Sequence, residues 1–248
     1  KFKTSFNFDL INFNSLDYTN PKIGPAVNTG GGSSRENDRT LSWTWNNIIS
    51  YDKKIGDHHF NILAGQEAYS YRYDELTASR SKMAIPDYPE LVVGSQVTGG
   101  SGYRIDYSLV GYLMNAQYDY KDRYYLSGSY RRDGSSRFAP ETRWGNFWSV
   151  GGAWIISKED WFKQNWIDML KYKVSYGSQG NDDIGYNRYT DTYDIQDSDG
   201  SISLVFKTKG NKEITWETNG NFNTGLEFEL FQGRLNGSID YFYRKTTD

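Results

Sequence analysis

Between Trp216 and Leu230 the chain alternates with a period of two. Even positions read Trp216, Thr218, Gly220, Phe222, Thr224, Leu226, Phe228 and Leu230, while odd positions read Glu217, Asn219, Asn221, Asn223, Gly225, Glu227 and Glu229. After Phe231-Gln232-Gly233-Arg234 the pattern resumes. Leu235, Gly237, Ile239, Tyr241 and Tyr243 fall on one side and Asn236, Ser238, Asp240 and Arg244 on the other, broken only by Phe242. That period is the strand period, and the glycine-containing turn makes a hairpin. At roughly 3.3 Å per residue the first run reaches about 50 Å, or about 35 Å of height at the roughly 45° tilt of a membrane barrel. The apolar band of an outer membrane is roughly 25 Å, and soluble strands average about 5–6 residues. The pattern therefore predicts an all-β fold, an antiparallel transmembrane β-barrel wall.

Alternation and turn residues together predict about nine strands, near 2–13, 40–51, 58–73, 103–120, 123–132, 144–156, 170–176, 216–230 and 235–243. Long loops are expected at 14–38, 74–102 and 180–214, with a medium one at 133–143. Short turns fall at 52–57, at Lys121-Asp122 and at 231–234. Residues 157–168 (SKEDWFKQNWID) read as one short amphipathic turn of helix that offers Trp161 and Trp166 to a membrane interface. Long loops on one side and short turns on the other match the outside and the periplasmic side of an outer-membrane barrel. In the fourth strand the phase slips near 109–111, since Tyr103, Ile105 and Tyr107 take the other parity; a bulge or a lumen-facing aromatic cluster would account for it.

Composition fits this without demanding it. Mean hydropathy is −0.77 with 17% aromatic residues, as expected when each strand gives only half its residues to lipid. The longest clear apolar run, 153–156, is far short of the roughly 20 residues a membrane helix needs. A net charge of −3 without a basic block argues against nucleic acid as a partner. The absence of Cys removes thiolate metal sites and disulfide frameworks.

Three phrases carry more than a generic barrel: YRRDGSSRFAPETRWGNFWSVGGAW (130–154), LKYKVSYGSQGNDDIG (170–185) and ITWETNGNFNTGLEFELFQGRLNGSIDYFYRKTTD (214–248). In this order and spacing they resemble the barrel of the SusC/RagA family of TonB-linked outer-membrane transporters. The resemblance is strong over 103–248 and rests on strand pattern before that. It implies a 22-stranded barrel plugged by an N-terminal domain, of which residues 1–248 are part; nothing here resembles the plug or the TonB box. It further implies a Gram-negative outer-membrane location, surrounding lipid, a SusD-like surface lipoprotein acting as a lid, energy from the TonB complex, and cargo that is an oligosaccharide or a peptide. No cofactor is implied, and the expected protein is not an enzyme. A chain beginning and ending in wall strands, at Lys1 and Asp248, reads as a piece of a larger barrel.

The sites open to chemistry are few. DGSSRF at 133–138 gathers Arg131, Arg132, Asp133 and Arg137, which read either as a ligand-contacting loop or as a polar loop whose arginines pair with acidic neighbours. Loop 180–214 holds Asp182, Asp183, Asp191, Asp194, Asp197 and Asp199. Asp197-Ser198-Asp199-Gly200 lacks the closing glutamate of a calcium loop, so no metal site is expected. Asp182, Asp183, Tyr186, Tyr189 and Tyr193 are the candidates for substrate or lid contact, because aromatic faces beside carboxylates suit sugars and peptide side chains. His58 and His59 are adjacent in a strand, point to opposite faces and so cannot share an ion. Glu217, Glu227 and Glu229 could be cast as catalytic carboxylates, but their spacing is that of the wet side of a strand. No catalytic residue is assigned. The competing reading is a soluble or surface-attached all-β carbohydrate-binding module or glycosidase; a passive porin is a third.

Overall fold

The computed structural model describes residues 1–198 and 200–247, with Ser198 by its backbone alone; Asp199 and Asp248, named above, lie outside the described residues. Among the described residues there are eleven strands: β1 Phe2–Thr19, β2 Gly32–Ile55, β3 His58–Met83, β4 Gly94–Tyr120, β5 Tyr124–Ser135, β6 Trp144–Ile155, β7 Ile167–Asn181, β8 Thr192–Ser198, β9 Ser201–Thr208, β10 Glu217–Leu230 and β11 Leu235–Thr247. Nine form one sheet in the order β1-β2-β3-β4-β5-β6-β7-β10-β11, and β8 and β9 form a separate two-stranded sheet. The chain divides into two units, one of residues 1–5, 45–68 and 109–248, the other of residues 6–44 and 69–108.

In the larger unit the wall follows the alternation closely. Tyr112, Met114, Leu126, Tyr130, Trp148, Val150, Tyr172, Tyr176 and Leu226 are exposed on one face. The opposite face carries Asn115, Gln117, Ser127, Ser129, Lys171, Lys173, Asn221, Asn223 and Glu227 by register. A soluble sheet would hide its apolar face against a second layer. Here the only apolar side chains buried among the described residues are Met83, Phe138, Ala139, Phe147 and Trp216, so no such layer exists. The apolar face is the outside of a barrel wall.

The polar face is tied by ion pairs that reach over glycines. Lys173 of β7, Gly225 of β10 and Asp240 of β11 are in register, and Lys173 Nζ lies 2.9 Å from Asp240 Oδ1 and 2.8 Å from Glu227 Oε1. A Cβ on Gly225 would stand 2.3 Å from Asp240 Oδ1, so only glycine leaves room for the reach. The same device recurs at Gly111 of β4. Arg131 of β5 contacts Asp133 at 2.7 Å and reaches Glu67 of β3 at 3.0 Å, where a Cβ on Gly111 would meet Asp133 Oδ1 at 2.4 Å.

The short connections fall near the places the sequence gives them, the first shortened to Gly56-Asp57 because β2 runs on to Ile55, and only the connector at 157–168 differs in kind. Lys121 and Asp122 both take positive φ, and the Arg123 N–H donates to the Tyr120 carbonyl at 3.0 Å, closing a tight turn between the paired residues Tyr120 and Tyr124. Residues 157–168 form no amphipathic helix; only Ile156–Lys158 make a 3-10 turn. Side-chain bonds hold this connector open instead. Glu159 accepts from Trp154 Nε1 at 2.9 Å and from the Tyr124 hydroxyl, and Arg123 pairs with Asp160 at 2.9 Å. The Tyr124 and Trp154 bonds, aided by Arg123, hold the Glu159 carboxyl below its usual range, and Arg123 does the same to Asp160. Trp166 stacks on Phe231 with ring centroids 5.8 Å apart, and Trp161 stays exposed.

The smaller unit departs most from expectation. The long loops read at 14–38 and 74–102 are largely strand, since β1 runs on to Thr19, β2 starts at Gly32, β3 reaches Met83 and β4 starts at Gly94. Polar pairs carry the strands where apolar alternation stops: Arg104 with Asp74 at 2.6 Å, Arg72 with Asp106 at 2.7 Å, and the Ser79 and Thr98 hydroxyls at 3.0 Å. Tyr103 pairs with Tyr73 and Tyr107 with Tyr69, each 5.9 Å between centroids. β4 meanwhile pairs with β5 from Leu109 to Tyr120 without a register shift. The phase slip therefore reflects tyrosine pairing rather than a bulge against β5.

Candidate binding surface at the long-loop end

At the end of β5 the chain turns through 135–143, and at the end of β7 through 181–191. Phe147 organises the meeting of these loops. Its ring lies over Gly180, where a Cβ would come within 2.0 Å of Cζ, and beside Gly145, where one would come within 2.4 Å. Phe138, Phe147 and Trp216 form the buried cluster, with Leu109, Ile184 and Ile214 packed around it. Trp216 stands 5.4 Å from Phe138 and 5.3 Å from Phe147, and its indole N–H donates to the Arg143 carbonyl at 2.8 Å. The burial of large rings beneath loops gives them a floor that loop backbone alone lacks.

Above this floor Arg137 of the first group of candidates meets Asp182, Asp183 and Tyr186 of the second. Ser135, fully buried, donates to Asp182 Oδ2 at 2.7 Å and accepts from the Arg137 N–H at 3.2 Å. Arg137 donates to the Asp182 carbonyl at 3.0 Å, pairs with Asp183 at 2.8 Å, and lies 5.0 Å from the centre of the Tyr186 ring. The Asp183 side chain is 77% exposed, so the latch has a wet outer edge. Arg131 and Asp133 belong to the ion pair over Gly111. Arg132 faces the other way, 5.1 Å from the centre of Trp144, which stacks on Tyr112.

Tyr189 and Tyr193 lie apart from the latch. Tyr189 lines a recess of about 640 Å³ bounded also by Glu141, Asp191, Lys209 and Lys212. Tyr193 sits on the β8–β9 hairpin, edge-on to Phe206 at 5.8 Å. This hairpin, read from sequence as loop, has an amphipathic register, with Tyr193, Ile195, Ile202, Leu204 and Phe206 on one face. The signal for it was the alternation Ile202, Leu204, Phe206, hidden by polar neighbours. Gly200 N–H donates to Asp197 Oδ1 at 3.0 Å, so Asp197 serves the hairpin turn. His58 packs on Tyr120, whereas His59 bridges Asp119 at 2.8 Å and Asp52 at 3.0 Å, and the two rings share no ligand position. Glu227 is held by Lys171 and Lys173, as the wet-face reading requires. In the smaller unit Glu36, Asp38 and Glu75 bring their carboxylate oxygens within 4.8 Å of one another.

Long antiparallel strands with one exposed apolar face, a charged opposite face and loops packed over a buried ring cluster have the features of an outer-membrane-type β-barrel wall. No family model matches the chain. The chain is 30% identical over 262 residues to TonB-dependent receptor P39 of Formosa agariphila, a match covering 100% of this chain and 24% of that protein. It is 28% identical over 214 residues to TonB-dependent receptor SusC of Bacteroides thetaiotaomicron, covering 83% of this chain and 21% of that protein. The solved structure of the RagAB peptide transporter superposes with a TM-score of 0.94 at 26% identity, over 99% of this chain and 28% of that one. The chain is a homologue of the SusC/RagA kind of TonB-dependent receptor and has the fold of part of the RagA barrel. It spans about a quarter of the length of the relatives it matches. Their names describe receptors and a transporter, consistent with a non-enzyme.

Proposed function

We propose that the protein takes part in active import across a Gram-negative outer membrane, with cargo captured at the long-loop end and release energised through TonB. The observation that carries this reading is the match of 99% of the chain to the RagAB peptide transporter structure at a TM-score of 0.94. The cargo is a glycan oligomer or a peptide, and a SusD-like lipoprotein covers the loops. Residues 1–248 contribute to the barrel domain, with the plug and the TonB-contacting segment belonging to other parts of the full protein.

Asp182, Asp183, Tyr186, Tyr189 and Tyr193 contribute to cargo or lid contact, with Asp183 and Tyr193 the most accessible of them. Arg137 and Ser135 hold Asp182, Asp183 and Tyr186 in place. Arg131, Asp133 and Arg132 brace the wall beneath. The test is uptake of labelled oligosaccharide and peptide pools by cells carrying the full-length protein, with and without TonB. Uptake that needs both proteins supports the reading, and uptake indifferent to TonB overturns it.

A further inference from the structure

The recess under Tyr189 has features the latch lacks. Lys209 and Lys212 both line it, together with Glu141 and Asp191, around a volume of about 640 Å³. Among the described residues Lys209, Lys212 and Glu141 are in no ion pair, while Asp191 of the same lining accepts the Gly210 N–H. Charges that share a small cavity without neutralising one another remain available to a ligand.

The backbone carrying the lysines is fixed. Gly210 N–H donates to Asp191 Oδ1 at 2.8 Å, Asn211 N–H to the Arg188 carbonyl at 3.0 Å, and the Thr142 hydroxyl to the Lys212 carbonyl at 3.2 Å. Residue 210 packs so closely that a Cβ there would lie 2.4 Å from the Thr190 carbonyl carbon. The two ammonium groups therefore extend from a braced strap rather than from a free loop. Tyr189 adds an aromatic wall, and Glu141 adds an acceptor for hydroxyl or amide donors.

We propose that this recess is a subsite for a carboxylate-bearing portion of the cargo, with Lys209 and Lys212 binding the carboxylate and Glu141 and Tyr189 receiving the neighbouring polar unit. The assignment rests on the import reading, whose cargo classes carry such a group either as a peptide C-terminus or as a uronic acid.

The test uses the full-length protein in detergent, titrated calorimetrically with two matched pairs of probes. One pair is a neutral oligopeptide with a free C-terminus and its C-terminal amide; the other is trigalacturonate and its methyl ester. In the wild type the free acid of one pair binds roughly tenfold tighter than its capped form, as a charge-assisted contact warrants. The pair that shows the preference identifies the source of the carboxylate. The K209A/K212A double variant loses the preference, and K209R/K212R restores it. Equal binding of acid and capped forms to the wild type in both pairs, or a preference that survives in K209A/K212A, overturns the subsite. Neither result bears on TonB-dependent uptake, which is measured separately and decides the import reading.

Discussion

Replacing Gly180 by alanine tests whether the Phe147 ring is the keystone beneath the binding loops. Gly180 does not have a positive φ, so alanine is compatible with its backbone, and in open space the change would stabilise by about 0.4–1 kcal/mol through the unfolded chain. The site is not open. The new methyl would fall 2.0 Å from Phe147 Cζ and 2.5–2.6 Å from its two ε carbons. The ring is only 7% exposed and locked against Trp216, so it must leave its seat or the β6–β7 pairing must spread. Overpacking of this kind costs roughly 1–3 kcal/mol. Because a large barrel does not unfold in two states, the assay is local: hydrogen exchange of amides in 135–143 and 181–191 in the full-length protein. Exchange there should accelerate by about 5- to 150-fold, while strand amides near the short turns stay unchanged. In a Phe147→Leu background the same substitution should cost much less, with a coupling of about 0.5–3 kcal/mol. Unchanged or slower loop exchange in Gly180→Ala alone would refute the reasoning.

Ser135→Ala removes a buried donor to Asp182 and an acceptor for the Arg137 N–H, and should loosen the same loops by about 1–3 kcal/mol, seen as protease nicking within 135–143 or 181–191. At the short-turn end, Glu159 and Asp160 have folded-state pKa values below their unfolded ones, so their contribution is present above the ordinary carboxylate range and is lost as pH falls through the depressed values. Thermal midpoints in detergent should drop below about pH 4, and Glu159→Gln should flatten that dependence; a wild-type midpoint constant down to pH 3 would contradict the assignment. Residues 1–248 expressed alone in detergent-free buffer should aggregate, because β1 and β11 each have one unpaired edge and the apolar face is open. A monodisperse monomer with a cooperative melt would count decisively against a membrane wall.

The wall was legible because its two faces meet different solvents, which forces the alternation seen from Trp216 to Tyr243. Where both faces are wet that signal vanishes. Asp74, Ser79 and Thr98 therefore read as loop, though the Arg104–Asp74 ion pair and the bond between the Ser79 and Thr98 hydroxyls hold them in strand pairing. The helix read at 157–168 failed for a related reason. The pattern of tryptophans was amphipathic, but Glu159 is consumed by Tyr124, Trp154 and Arg123 from neighbouring strands, contacts no local periodicity records. At the candidate surface, residue types pointed to the two loops separately. That Arg137 and Asp182 would meet depended on β6 and β7 pairing so as to seat Phe147 on Gly180, a long-range fact absent from either segment. Residue type points to Tyr189 but not to its neighbours Lys209 and Lys212, which follow β9 and reach the recess only through the fold of the β8–β9 segment.

The glycine-spanning ion pairs have a consequence for how the wall is assembled. Alternation by itself protects against a slip of one residue, which would turn every side chain to the wrong face, but is blind to a slip of two. Were β10 to move by two positions, Asn223 or Glu227 would replace Gly225 between Lys173 and Asp240, and the lysine could no longer pass over the strand. The charge staple thus distinguishes the native register from its nearest hydrophobically equivalent competitor, acting as a proofreading mark written on the side of the wall that lipid never sees.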